Sequence, residues 1–210
     1  MLGKDLEVEL FINCHNINIL CVTEHWLKKH QLMFNFQNHI LGSSFSRNNA
    51  IHGGSLILLN KWLKFKERND IVSLSVERTT EIACVELDKL IVMCVYRPPS
   101  ASYDDFEKIM DVVLNRACQT DKKLLICGDF NINLLENSVL CVKLKSLFLS
   151  YNLVNLFLEP TRITASTATC LDNIFSNLIP NSKSIINKIN SDHCGQLVKF
   201  NINCERNIKL

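Results

Sequence analysis

The chain has 210 residues, 47% of them hydrophobic and 21% charged, with a formal net charge of +2. That length supplies one core burying about 70% of the unfolded surface, and no Gly/Ser-rich or Pro-rich linker divides it, so one domain over residues 1–210 is expected. Near-neutral charge neither demands nor excludes a nucleic-acid partner, whereas the lack of an apolar run of about 18 residues argues against a membrane span.

The first element in chain order is a helix over Leu6 to Cys14, ending near Asn13 or Asn16. Short apolar runs follow, rich in Ile, Leu, Val and Cys. They read as buried strands at Asn18 to Thr23, Ser55 to Leu59, Glu81 to Leu87, Leu90 to Tyr96 and Leu124 to Cys127. His15, His25, His30, His39 and His52 have no mutual metal spacing and read as non-ligands. Lys61, Lys64, Lys66 and Arg68 form the densest basic stretch and read as a solvated loop. The polar break Asp88-Lys89 between two apolar runs suggests a hairpin. Tyr103, Phe106, Ile109, Met110, Val113, Leu114 and Ala117 mark one face of a helix that Ser102, Asp104 and Asp105 would cap. Leu140, Leu144, Leu147, Phe148 and Tyr151 mark another. Hairpins mixed with helices, without strict β-α-β alternation, point to layered α+β packing.

Ten cysteines are spread from Cys14 to Cys204 with no Cys-x-x-Cys pair. Zinc-ribbon and thioredoxin readings therefore fail. Reduced thiols are expected, with no disulfide-linked partner, in a nuclear or cytoplasmic and monomeric protein. The Met1 to Glu7 segment lacks the pattern of a secretory leader.

Polar residues collect where apolar strands end. Gly128-Asp129-Phe130-Asn131 follows the last strand. Glycine permits close approach, Phe130 would alternate into the core, and Asp129 and Asn131 would face the same way, one to take a proton and one to donate to a phosphate oxygen. On these four residues alone, an ordinary Asp/Asn turn is an equal reading. Glu24 closes the first strand, where a carboxylate suits a hard divalent cation or simply a surface loop. Tyr96-Arg97-Pro98-Pro99 closes another, offering a hydroxyl and a guanidinium to phosphate, or only a rigid exit. Ser191-Asp192-His193 adds an imidazole beside a carboxylate.

Taken in order, Thr23-Glu24-His25-Trp26, Gly53-Gly54-Ser55, Tyr96-Arg97-Pro98-Pro99, Gly128-Asp129-Phe130-Asn131, Pro160-Thr161-Arg162, Thr169-Cys170-Leu171-Asp172 and Ser191-Asp192-His193 resemble the endonuclease/exonuclease/phosphatase superfamily. The resemblance is nearest to the apurinic-type endonuclease domain of non-LTR (LINE-type) retrotransposons. It implies a four-layer α/β/β/α sandwich of two packed mixed β-sheets flanked by helices, and hydrolysis of a DNA strand with Mg2+ or Mn2+. It also implies roles: Glu24 holds the metal with Asp192 nearby; Asp129 activates water; Asn131 and Tyr96 meet the phosphate; Asp172 orients His193, which stabilises the transition state. Arg97 and Arg162 would contact substrate. The family's first strand, which carries an Asn, has no counterpart here. Met1 therefore reads as a start inside the domain, with one central strand missing and its neighbour's edge exposed. A catalytically inactive remnant that at most binds, and a phosphoesterase acting on another substrate, are the alternatives.

Overall fold

Strands that are apolar on both faces need cover on both sides, and the computed structural model of the chain, which describes residues 4–186 and 191–202, supplies it. Among the described residues four α-helices, α1 (Asp5–His15), α2 (Asn69–Val72), α3 (Tyr103–Ala117) and α4 (Val139–Leu149), accompany thirteen strands. In chain order these are β1 (Ile19–Thr23), β2 (His39–Phe45), β3 (Ser55–Asn60), β4 (Lys66–Glu67), β5 (Glu81–Glu86), β6 (Leu90–Tyr96), β7 (Lys123–Asp129), β8 (Val154–Asn155), β9 (Arg162–Ile163), β10 (Ala168–Thr169), β11 (Asp172–Ser176), β12 (Ser182–Ile186) and β13 (Gly195–Lys199).

The larger sheet runs β4-β5-β6-β7-β11-β8, and the smaller runs β1-β3-β2. Among the described strands, β6 and β7 alone pair in parallel. The larger sheet is thus mixed, while the smaller, expected to be mixed, is antiparallel throughout its described strands. The predicted hairpin at Asp88-Lys89 joins β5 to β6.

Alternation along the strands sorts the layers. Ile82 and Cys84 of β5, Ile91, Met93 and Val95 of β6, and Leu124 and Ile126 of β7 pack against Phe106, Met110, Val113 and Leu114 of α3 and Leu144 and Phe148 of α4. Their neighbours Ala83, Val85, Val92, Cys94 and Leu125 turn the other way and meet Ile57 and Leu59 of β3. Leu56 and Leu58, on the opposite face of β3, pack with Val8 and Ile12 of α1. The order of layers is therefore α1, small sheet, large sheet, α3 with α4, as the resemblance implied.

Local signals explain the helix ends. Ser102 Oγ accepts the Asp105 amide at 3.4 Å at the start of α3, and Asn16 ends α1 in the left-handed conformation at φ 51°. The basic stretch is not simply a solvated loop. Lys61 Nζ donates to the carbonyls of Phe36 and Gln37, while Arg68 and Lys66 join Lys122 around Glu86, at 2.8, 3.1 and 2.8 Å. Nine cysteines among the described residues are free thiols; Cys204 and Met1 lie outside the described residues. No helix among the described residues is long and apolar enough to cross a membrane.

A β-carbon on Gly128 would overlap the Val95 carbonyl oxygen of β6, which is backbone and gives way only if the sheet shifts. Gly128→Ala should cost about 2–3 kcal/mol in urea unfolding; a cost near zero would show that β6 and β7 are not so closely apposed. Burial alone would raise the Glu86 carboxyl, but Lys122, Lys66 and Arg68 hold it down to about 2. A depressed carboxylate adds stability that is present above its unfolded value and lost as pH falls toward the folded one. Glu86→Gln should therefore cost on the order of 2 kcal/mol at pH 7, and the deficit should shrink as unfolding is repeated at successively lower pH below about 4.5.

Candidate active site

The polar strand ends predicted from sequence meet at one edge of the two sheets. Asp129, the last residue of β7, lies beside Tyr96 at the end of β6 and opposite Asp172 at the start of β11. Thr23, which ends β1, is paired with Ser55, which begins β3, and Glu24 follows at φ 52°. Its amide donates to the Gly54 carbonyl at 2.8 Å and that of Trp26 to Gly53 at 3.0 Å. This holds the Glu24 turn against the Gly53-Gly54 bend.

Asp129 is buried. Burial and the neighbouring Asp172 raise its carboxyl well above the usual range, with Glu24 adding to the effect and His193 opposing it. His193 Nδ1 and Asp172 Oδ2 are 2.7 Å apart. This bond raises the imidazole above its ordinary value against the opposing effect of burial. Asp129, Asp172 and His193 each offer a ligand atom, all within 4.8 Å of one another, forming among the described residues the one group of that kind able to hold a metal ion. Beside it, the Tyr96 hydroxyl donates to Glu24 Oε1. Burial, then Glu24, pushes the phenol well up.

Asn131 reaches the site by a route different from strand alternation. β7 stops at Asp129, and Asn131 has φ 51°. Asp129 Oδ1 accepts the Asn131 amide at 3.0 Å, an Asx turn, while Asn131 Nδ2 donates to the Arg97 carbonyl at 2.9 Å. Phe130 between them enters the core edge-on to Phe106, Phe148 and Phe175, as predicted.

The remaining sequence-predicted residues are placed less directly. Arg97 is buried rather than open to a phosphate: its Nη atoms donate to the carbonyls of Phe130 at 3.2 Å and Ala101 at 2.6 Å, so it props the Asp129-Asn131 turn from beneath. Asp192 does not join the carboxylate cluster. Its Oδ2 accepts from Arg162 Nε at 2.8 Å, in an exposed pair that occupies both residues.

Several supporting residues carried no assigned role in the sequence reading. Thr161 Oγ1 accepts the amides of Leu171 and Asp172, both at 3.2 Å, and so fixes the start of β11. Glu81, fully buried, receives Arg47 Nε and the Gly54 amide at 2.5 Å each, and Arg47 lies over the Tyr96 ring. Thr161 and Gly54 belong to quoted motifs. Arg47 and Glu81 are far apart in sequence and left no local signal. Trp26, exposed and at φ 60°, meets His52 edge-on beside this turn.

The profile of the Endonuclease/Exonuclease/phosphatase family matches residues 5–193. The chain belongs to that family. No curated protein matches it by sequence. Among solved structures, the family member is similar to the endonuclease domain of TRAS1, a telomere-specific non-LTR retrotransposon, with TM-score 0.73 and 13% identity over 94% of this chain and 92% of that one. It is also similar to the 3' phosphatase NExo from Neisseria bound to a product DNA hairpin, with TM-score 0.71 and 12% identity over 95% of each chain. At these identities the likeness establishes the shared fold.

Proposed function

We propose that this endonuclease/exonuclease/phosphatase-family chain is a metal-dependent DNA endonuclease that nicks one strand by hydrolysing a phosphodiester bond, and that it acts in the nucleus or cytoplasm. The observation that carries the reading is the buried Asp129 carboxylate set against the Asp172-His193 pair, with Tyr96 and Glu24 at the neighbouring strand ends.

Asp129 suits the part of general base. It is desolvated and faces other carboxylates, so it holds a proton more tightly than an exposed carboxylate does. In the reaction a water oxygen bonds to phosphorus, Asp129 takes the water's proton, and the bond from phosphorus to the ester oxygen on the opposite side breaks. His193, kept charged by Asp172, stabilises the negative charge that accumulates on the phosphoryl oxygens. Asn131 gives one amide hydrogen to Arg97 and retains the other for a phosphate oxygen.

The donors fit a hard divalent cation, magnesium or manganese. Glu24 would hold the ion: Tyr96 engages Oε1, leaving Oε2 for it, whereas His193, kept protonated by Asp172, would have no lone pair to offer a cation. Asp192, on an exposed pair with Arg162, stands at the rim. When bound, the ion supplies Lewis-acid stabilisation of the phosphate and the leaving oxygen. The likeness to a retrotransposon endonuclease domain and to a 3' phosphatase bound to a product DNA hairpin supports a DNA substrate.

The test is conversion of supercoiled plasmid to open circles with magnesium. The unmodified chain should nick, and Asp129→Ala should lose at least about 10²–10³-fold in rate. Equal nicking by both proteins would remove Asp129 from the mechanism, and release of inorganic phosphate from 3'-phosphorylated DNA without nicking would favour a phosphomonoesterase.

A further inference from the structure

The turn after β1 holds an indole out to solvent on a rigid base. Burial alternates along it: His25 and Leu27 are buried, while Glu24 and Trp26 are exposed. His25 is anchored at both ring nitrogens. Its Nδ1 accepts the Leu27 amide at 3.0 Å, so Nε2 carries the proton and donates to the Phe45 carbonyl at 2.9 Å. Gly54 lies so close to this ring that a β-carbon there would overlap it. The Gly54 amide is held in turn by the buried Glu81 carboxylate at 2.5 Å. Lys28, two residues beyond Trp26, donates to the carbonyls of Arg47, Asn48 and Ala50 at 3.0, 3.0 and 2.9 Å. The loop leading to His52 is thereby stapled to the segment that carries Trp26.

On this base Trp26 has an unfavourable place. Its φ of 60° lies in the left-handed region that bulky residues avoid, and the Gly53 carbonyl fixes its amide there at 3.0 Å. The indole is 57% exposed, although few side chains gain more from burial. His52 stands edge-on to it, with ring centroids 4.5 Å apart and planes at 78°. One side of the indole is thus supported and the rest is open. Strained backbone of this kind persists where its surroundings over-determine it, and it gathers at ligand clamps. The position indicates the ligand. Trp26 is two residues from Glu24, a span of at most about 7 Å, and Glu24 is bonded to Tyr96 at the site. A DNA strand with one phosphate at Asp129 and His193 brings a neighbouring base within reach of the indole.

We propose that Trp26, backed by His52, is a stacking platform for one unpaired nucleobase of the DNA strand, next to the phosphate that is cut. The proposal rests on reading the site as that of a DNA endonuclease. Every base has a π-face, so the platform selects an unstacked base rather than a sequence. In a continuous duplex both faces of a base are covered by its neighbours. DNA with a single-stranded, mismatched or flipped base beside the cut is therefore the substrate it favours.

The test is binding without cutting, in EDTA, with a short oligothymidylate and an otherwise identical abasic oligomer as probes. The oligothymidylate should quench the tryptophan emission of the full chain. Trp26→Phe should lose most of the quenching, because Trp62 is then the sole tryptophan, yet keep its affinity within about threefold, since the phenyl ring still stacks. Trp26→Ala should bind the oligothymidylate about tenfold more weakly. The abasic oligomer should bind the unmodified chain with a similar loss, and Trp26→Ala should weaken it no further. Three results would overturn the platform: no binding of the oligothymidylate, unchanged binding by Trp26→Ala, or equal losses by Trp26→Ala on both oligomers. Plasmid nicking with magnesium by the same preparation separates this proposal from the one beneath it. Nicking without base-dependent binding sinks the platform alone, whereas base-dependent binding through Trp26 without nicking keeps the platform and removes the nuclease reading.

Discussion

His193→Ala is expected to slow phosphodiester hydrolysis about a thousandfold, and Asp172→Asn combined with it should slow the reaction little further. The reason is geometric. Asp172 Oδ2 lies 2.7 Å from His193 Nδ1, so the carboxylate acts by holding the imidazole in place and protonated. Groups that work as a unit give strongly non-additive losses. Multiplicative losses would instead give Asp172 an independent contact with the substrate. The pH profile adds a second readout. The hydrogen bond to Asp172 raises His193 above its ordinary value. The charged ring is then present below the raised value and lost as pH rises through it, which sets a falling limb of log kcat/KM. Asp172→Asn removes the largest cause of the shift, and the falling limb should move to lower pH. A limb that stays in place would show that another group sets it.

Glu24→Gln should raise the magnesium concentration needed for half-maximal nicking by about ten- to a hundredfold. The amide oxygen can still accept the Tyr96 hydroxyl, so the turn after β1 keeps its support while the cation loses its anionic ligand. Far-ultraviolet circular dichroism should be unchanged. If cation dependence is also unchanged, the ion is held elsewhere, and the Asp129, Asp172 and His193 group becomes the place to look. Together the two experiments separate the group that stabilises the transition state from the group that holds the metal.

Much of this molecule is legible in its sequence. Strands apolar on both faces, such as Leu90–Tyr96, had to lie between two layers, and they do. The α3 stripe and its Ser102 cap are local facts, readable at a spacing of three or four residues. The short, polar strands were not legible. β11 reads Asp-Asn-Ile-Phe-Ser, too brief and mixed for a periodic signal, and it is a strand because β7 presents it with a partner edge. At the site, motif order named Asp129, Asp172 and His193, which the fold brings together. It also named Arg97 and Asp192, whose side chains the fold commits to backbone carbonyls and to Arg162. A motif records residue types along the chain; which way a guanidinium points depends on the turn above it.

The strand ends illustrate the division. Sequence by itself determined that carboxylates, a tyrosine and a histidine stand where apolar runs stop, because hydrophobic periodicity and its interruption are properties of the chain. Only the tertiary structure decided that Asp129 is buried among other carboxylates and is set against the Asp172-His193 pair. Desolvation and mutual repulsion act over a few ångströms of space, and Asp129, Asp172 and His193 become neighbours only when β7, β11 and the His193 bridge to Arg162 are assembled.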